Sequence, residues 1–196
     1  MNAFNKDLTV QIRALESILK KSPIISEALK HAEGWDLPHW YLGAGCIAQT
    51  VWNHLSDKEP AAHIKDLDLA YFDPHDLTKK SEARHEEEAN VLFKEISIEI
   101  DVKNQARVHL WYEGRFGRPI EPYPSIEAAI NSWPTTATCI GVRTCREKFT
   151  VYAPYGLNDL FGMVARPNKV QITEAIYMKK VNRWKTCWPE LQIVPW

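Results

Sequence analysis

Two short segments constrain this chain more than anything else in it, because each carries acids on one face and aliphatics on the other. In residues 64–72 (IKDLDLAYF) the period-two alternation predicts a strand with Asp66 and Asp68 on one face and Leu67 and Leu69 on the opposite one. Residues 96–102 (ISIEIDV) repeat the arrangement, with Glu99 and Asp101 facing away from Ile98, Ile100 and Val102. Charged residues are depleted in strands, and two aspartates side by side repel each other unless a cation lies between them. Were the two segments neighbours in one sheet, Asp101 would complete a three-carboxylate cluster with Asp66 and Asp68. Such a set of hard oxygen ligands suits Mg²⁺, with Mn²⁺ as the substitute, and phosphate oxygens completing the octahedron. The competing reading of an isolated Asp-x-Asp is a solvent-facing strand edge.

Upstream, the apolar run of residues 40–42 ends at Gly43-Ala44-Gly45, and helical periodicity then runs from Cys46 to Leu55 through Ile47 and Val51. That is strand, glycine turn, helix. Glycines let a backbone approach a ligand closely, and the helix start presents unpaired N–H groups to an anion. Neither G-x-G-x-x-G nor G-K-[ST] is present, so a Rossmann fold and a P-loop are both unsupported.

Elsewhere the spacing predicts an amphipathic helix through Ile12, Leu15, Ile18 and Leu19. A second helix is expected to open at Ser22 and Pro23 and stop at Gly34. Further helices are expected over 78–93, from Asn104 to about Gly114, and over 125–132, 157–164 and 173–184. A hairpin is expected from 137–143 and 149–153. Strands and helices interleave, so the class is α/β or α+β, with a small mixed β-sheet flanked by helices. The 196 residues read as one domain, 1–196, with a helical scaffold over about 1–36 and terminal helices over about 157–190.

Charge and composition narrow the function classes. With 24 Lys+Arg against 25 Asp+Glu, the net charge of −1 argues against a protein that coats long nucleic acid. The chain lacks a run of 18 apolar residues and a signal-peptide core, so a cytoplasmic location away from membranes is expected. The four cysteines are scattered and read as reduced thiols. No G-x-S-x-G elbow is present, and His85-Glu86-Glu87-Glu88 is not H-E-x-x-H, which leaves acyl transfer and zinc hydrolysis without their groups.

Leu42-Gly43-Ala44-Gly45 before a helix, then Asp66-Leu67-Asp68, then Ile100-Asp101-Val102 resembles the DNA polymerase beta-like nucleotidyltransferase superfamily. More narrowly, Val51-Trp52-Asn53, residues 103–107 (KNQAR), residues 133–137 (WPTTA) and residues 155–161 (YGLNDLF) resemble a bacterial nucleotidyltransferase-like family of unassigned function. This likeness runs from about Trp40 to about Lys169. The resemblance implies that Asp66 and Asp68 bind the metal holding an NTP triphosphate. It implies also that Asp101 binds a second Mg²⁺ and helps activate a hydroxyl, and that Gly43, Ala44 and Gly45 let the backbone reach the phosphates. The superfamily's turn often ends in Ser; here Ala44-Gly45 leaves only backbone N–H groups for that contact.

In-line transfer also needs positive charge for the departing pyrophosphate. Arg107, with Asn104 beside it directly after the third acidic segment, is the first candidate, and Arg143 the second. Their competing roles are a surface salt bridge for Arg107 and a helix cap for Asn104. The basic stripe Lys179, Lys180, Arg183 and Lys185 reads as a seat for an RNA end or as a helix end complementing its dipole. The expectation is thus an Mg²⁺-dependent nucleotidyltransferase acting on an NTP and a hydroxyl acceptor, either a small molecule or an RNA end. The alternatives are a catalytically silent fold that binds a nucleotide, RNA or a protein, and a phosphoesterase using the same cluster.

Overall fold

The computed structural model describes residues 2–196. Its centre is a five-stranded sheet made of β1 (Tyr41–Gly43), β2 (Asp66–Tyr71), β3 (Glu99–Asn104), β4 (Gly141–Cys145) and β5 (Lys148–Tyr152), in the order β3-β2-β1-β4-β5. Strand β1 runs antiparallel to both β2 and β4, β4 and β5 form a hairpin, and β2 and β3 are parallel. The mixed sheet with flanking helices is the class expected from the interleaved pattern.

The helices are α1 (Leu8–Lys21), α2 (Pro23–Glu33), α3 (Ala44–Leu55), α4 (Lys79–Leu92), α5 (Val108–Phe116), α6 (Ile126–Ile130), α7 (Asn158–Phe161) and α8 (Glu174–Cys187). Helix α2 opens with Pro23 at its first turn, as predicted, but the Ser22 hydroxyl makes no capping bond and is buried without a partner. Side-chain caps do close α4, where Thr78 accepts from the Ser81 amide, α6, where Ser125 accepts from Ala128, and α8, where Thr173 accepts from Ile176. A two-stranded parallel pair, β6 (Val164–Ala165) with β7 (Gln192–Ile193), ties the terminus back to the body. Among the described residues no helix is long and apolar enough to cross a membrane.

The alternation in the strands divides the sheet into unlike faces. Leu42, Leu67, Leu69, Val102 and Val142 bury one face in the main core with α1, α2 and α3. Tyr41 and Ala70 on the other face join a small cluster with Ile126 and Ile130 of α6. The remainder of that second face carries the acids.

Several boundaries differ from the sequence expectation. Strand β3 begins at Glu99, not Ile96, because β2 begins at Asp66, and Asp66 pairs with Glu99; residues 96–98 have no strand partner there, and the Ile96 amide instead donates to the Phe93 carbonyl. Ile96 and Ile98 still pack against the core without strand geometry. The helix after Asn104 starts as a 3-10 turn over Gln105–Arg107 and closes at Gly117, whose φ of 75° is left-handed, so Gly114 lies inside it. Residues 137–140 fall in a 3-10 turn and its exit before β4, and only Asn158–Phe161 of the segment 157–164 is helical.

Candidate active site

Register brings the acids together. Asp68 pairs with Gly43 of β1 on one side and with Asp101 of β3 on the other, so Asp66, Asp68 and Asp101 share a sheet face beside the glycine turn. They line a cleft of about 750 Å³, together with Ala44 and Gly45. Burial raises the Asp68 carboxyl to about 7, and Asp66 and Asp101 push it the same way; the Lys180 ammonium and the Gly45 amide pull it down. Asp101 carries its own counter-ion, for its Oδ1 lies 3.0 Å from Lys103 Nζ, which also bonds Glu86.

Among the described residues no group of three His, Cys, Asp or Glu side chains is gathered tightly enough to hold a metal ion by itself. Mg²⁺ does not ask for such a cage, since it binds through one or two carboxylates and fills the rest with phosphate oxygens and water. The donor set fits it: the oxygens are hard, and the Asp66 and Asp101 charges that add to burial in raising Asp68 are those a divalent cation neutralises.

The three residues of the turn do different things. At Gly43 the backbone is extended (φ −157°), and a Cβ would stand 2.5 Å from the Ile140 carbonyl oxygen and 2.9 Å from the Trp133 ring. Its glycine is a packing requirement. Ala44 takes the left-handed conformation (φ 55°) that a glycine would adopt more easily, and its N–H donates to Ile140 O at 2.9 Å. Gly45 faces the site: a Cβ there would meet Gln49 Nε2 at 2.8 Å and Asp68 Oδ2 at 4.0 Å. Behind the turn, Cys46 Sγ donates to the Gly43 carbonyl at 3.0 Å, and burial raises its thiol so that it stays protonated.

Asn104 and Arg107 do not line this cleft. The Asn104 side chain accepts from the Asp73 and Ala106 amides and donates to the Asp73 carbonyl at 2.9 Å, so it clamps the loop after β2 to the 3-10 turn. Arg107 is buried, with Nη1 2.6 Å from Glu82 Oε2 and Nε donating to the Leu77 carbonyl at 2.8 Å. Arg143 lies over the Tyr41 ring at 4.8 Å, in a separate groove with His39 and Lys148.

One contributor to the cleft escaped the sequence reading, and the basic stripe noted there on the last helix forms another part of the wall. Gln49, one turn after Gly45 on α3, is 5% exposed, and its Oε1 has no partner. The i, i+4 spacing from Gly45 to Gln49 was the available signal. Helix α8 supplies Lys179, Lys180 and Arg183 to the wall. It is fixed to α3 by edge-on packing of Trp52 against Trp184 (5.3 Å) and Trp188 (5.5 Å). The Trp188 indole also donates to Asn53 Oδ1 at 2.9 Å.

A chain of this fold is known among solved structures. An NMR structure described as revealing a CCA-adding enzyme head domain matches with a TM-score of 0.76 and 26% sequence identity, covering 92% of this chain and 96% of that one. No curated protein matches the sequence. A family model described as nucleotidyltransferase matches residues 30–193, which span β1 to β5, the glycine turn, all three aspartates and α8. By that match the chain belongs to the nucleotidyltransferase family.

Proposed function

We propose that this protein transfers a nucleoside monophosphate from an NTP to a hydroxyl acceptor in an Mg²⁺-dependent reaction centred on Asp66, Asp68 and Asp101. The observation that carries the reading is the register of Asp68, with Asp101 in the next strand and the Gly45 turn behind it, all in one cleft. Likeness to a CCA-adding enzyme head domain supports nucleotide addition as the chemistry. Asp66 and Asp68 would hold the ion that gathers the triphosphate, and Asp101 the second. When bound, the ions supply charge neutralisation at the attacking and leaving oxygens.

The chain's own groups do the rest. The acceptor oxygen forms a bond to the α-phosphorus as the bond from that phosphorus to the bridging oxygen breaks, and pyrophosphate leaves. The hydroxyl proton passes to Asp101 or to water. The Ala44 N–H is held by Ile140 O and the Gly45 N–H by Asp68, so the turn brings its backbone close to the phosphates without the hydroxyl that a serine would add. The acceptor is a small molecule or an RNA end.

The test is pyrophosphate release from each of the four NTPs with Mg²⁺, with pooled small hydroxyl acceptors and short RNAs. Loss of release in both Asp66→Asn and Asp68→Asn is expected. Unchanged turnover in either variant would refute the assignment, and release of orthophosphate in place of pyrophosphate would identify a phosphoesterase. NTP binding that survives removal of Mg²⁺ and of Asp68 would identify a silent binder.

A further inference from the structure

The cleft holds more positive charge than its aspartates need. Lys65, Lys103, Arg115, Lys179, Lys180 and Arg183 line it against three carboxylates, in a chain whose net charge is −1. Lys103 is neutralised by Asp101 and Glu86, and the Arg115 guanidinium lies over the Trp111 and Phe116 rings at 5.8 and 5.5 Å. The α8 cations are placed differently. Lys179 and Lys180 lie four and three residues before Arg183, so the three share one helical face, where like charges repel. With the described residues none of them makes an ion pair or a side-chain hydrogen bond. Lys180 Nζ lies 5.4 Å from the Trp184 ring centre and acts on Asp66 and Asp68 from beyond ion-pair distance. Arg107, which the sequence offered for the departing pyrophosphate, is committed to Glu82.

A second observation comes from Gln49. Gln49 lines the same cleft, and its Oε1 is buried with no donor among the described residues, an arrangement that costs stability unless a ligand supplies one. Phosphate oxygens accept and cannot serve it. A hydroxyl or amine of a nucleoside can.

We infer that the Lys179–Lys180–Arg183 face of α8 is the polyphosphate subsite of this cleft, seating the β- and γ-phosphates of the NTP and then the pyrophosphate, while Gln49 takes a donor from the nucleoside. The inference rests on the nucleotidyltransferase reading for the identity of the polyanion. It does not depend on turnover. Lysines on a helix anchored by the edge-on Trp52–Trp184–Trp188 cluster meet the phosphates as fixed point charges, and they complement the side of the triphosphate away from the aspartates.

The test is calorimetric titration of inorganic tripolyphosphate and of ATP, with Mg²⁺, on the wild type and on Lys180→Gln, Lys179→Gln/Arg183→Gln, Gln49→Leu and Lys20→Gln. Lys20 serves as the charge control, being exposed and paired with Glu16 on α1. Lys180→Gln is expected to weaken both ligands at least tenfold, and the double variant to weaken both by a similar factor. Gln49→Leu is expected to weaken ATP several-fold and leave tripolyphosphate unchanged, and Lys20→Gln to change neither. Unfolding curves confirm that the variants are folded.

Tripolyphosphate affinity within twofold of wild type in both α8 variants, or no tripolyphosphate binding by the wild type, would overturn the subsite. If the α8 variants lose tripolyphosphate while no NTP releases pyrophosphate, the subsite stands and the enzymatic reading falls. If turnover is present and the α8 variants bind normally, the reverse holds.

Discussion

Replacing Gly43 and Gly45 by alanine, one at a time, should separate packing from function within a single turn. At Gly43 the new Cβ would stand 2.5 Å from Ile140 O and 2.9 Å from two Trp133 ring atoms. Ordinary contact needs a displacement of about 1 Å, and the strand cannot give it freely. Gly43 is paired to Asp68 on one side and Gly141 on the other, and the next amide, Ala44 N–H, is bonded to that same Ile140 oxygen at 2.9 Å. Overpacking costs about 1–3 kcal/mol, and loss of the Ala44–Ile140 bond adds about 1 kcal/mol. The expected loss is therefore about 2–4 kcal/mol, a fall of roughly 5–12 °C in Tm for a chain of this size. At Gly45 the methyl meets the end of the flexible Gln49 side chain at 2.8 Å, which can move aside for less than about 1 kcal/mol. Moving it places a methyl between Gln49 and Asp68, so NTP binding should weaken while Tm stays within about 3 °C. Thermal unfolding by circular dichroism, with and without MgATP, reads both effects. A Gly43→Ala protein as stable as wild type, or a Gly45→Ala protein as unstable as Gly43→Ala, would refute the steric account.

Other expectations follow from the same geometry. Because the folded Asp68 carboxyl titrates near 7 against an ordinary value of 3.8, its contribution to stability is fully present below about pH 4 and is lost as the pH rises through 7. In the absence of metal, the wild type should therefore gain Tm relative to Asp68→Asn between pH 8 and pH 5. Mg²⁺ affinity should fall about tenfold per unit below pH 7 as the ion competes with that proton; flat profiles in both assays would contradict it. Arg107→Met should cost about 3–5 kcal/mol in urea unfolding by stranding the Glu82 carboxylate, whereas a stable variant that had lost only NTP binding would return Arg107 to the site. Asn53→Ala should cost about 2–4 kcal/mol, since Asn53 donates to the Pro60 and Ala62 carbonyls at 3.1 and 2.8 Å and accepts from Trp188 at 2.9 Å. A Tm within 2 °C of wild type would show that α8 is held by packing alone.

The sequence made the sheet's faces legible because alternation is a local property. Asp66 and Asp68 had to leave one side of β2 if Leu67 and Leu69 were buried, and the structure buries both leucines. The turn was legible as a turn, but which glycine served packing was not, because the Ile140 carbonyl that excludes a Cβ at Gly43 comes from far along the chain. The same limit misplaced Arg107. Its proximity in sequence to Asp101 suggested the cleft, whereas the Glu82 partner on α4 that claims it is fixed only by tertiary packing. The start of β3 was misread for a related reason: residues 96–98 alternate well, but a strand needs a neighbour, and β2 begins too late to provide one.

The parallel pairing of β2 and β3 has a consequence for how the chain acquires its chemistry. The β4–β5 hairpin closes on a tight turn, whereas β2 and β3 join only after the whole crossover through α4 has been ordered, and loop-closure entropy is charged before any contact repays it. Asp68 and Asp101 thus meet only once that crossover has closed, and a ligand that needs both finds nothing to grip before then. Such a ligand should slow unfolding and leave the refolding rate unchanged. A newly made chain would be chemically mute until the crossover locks.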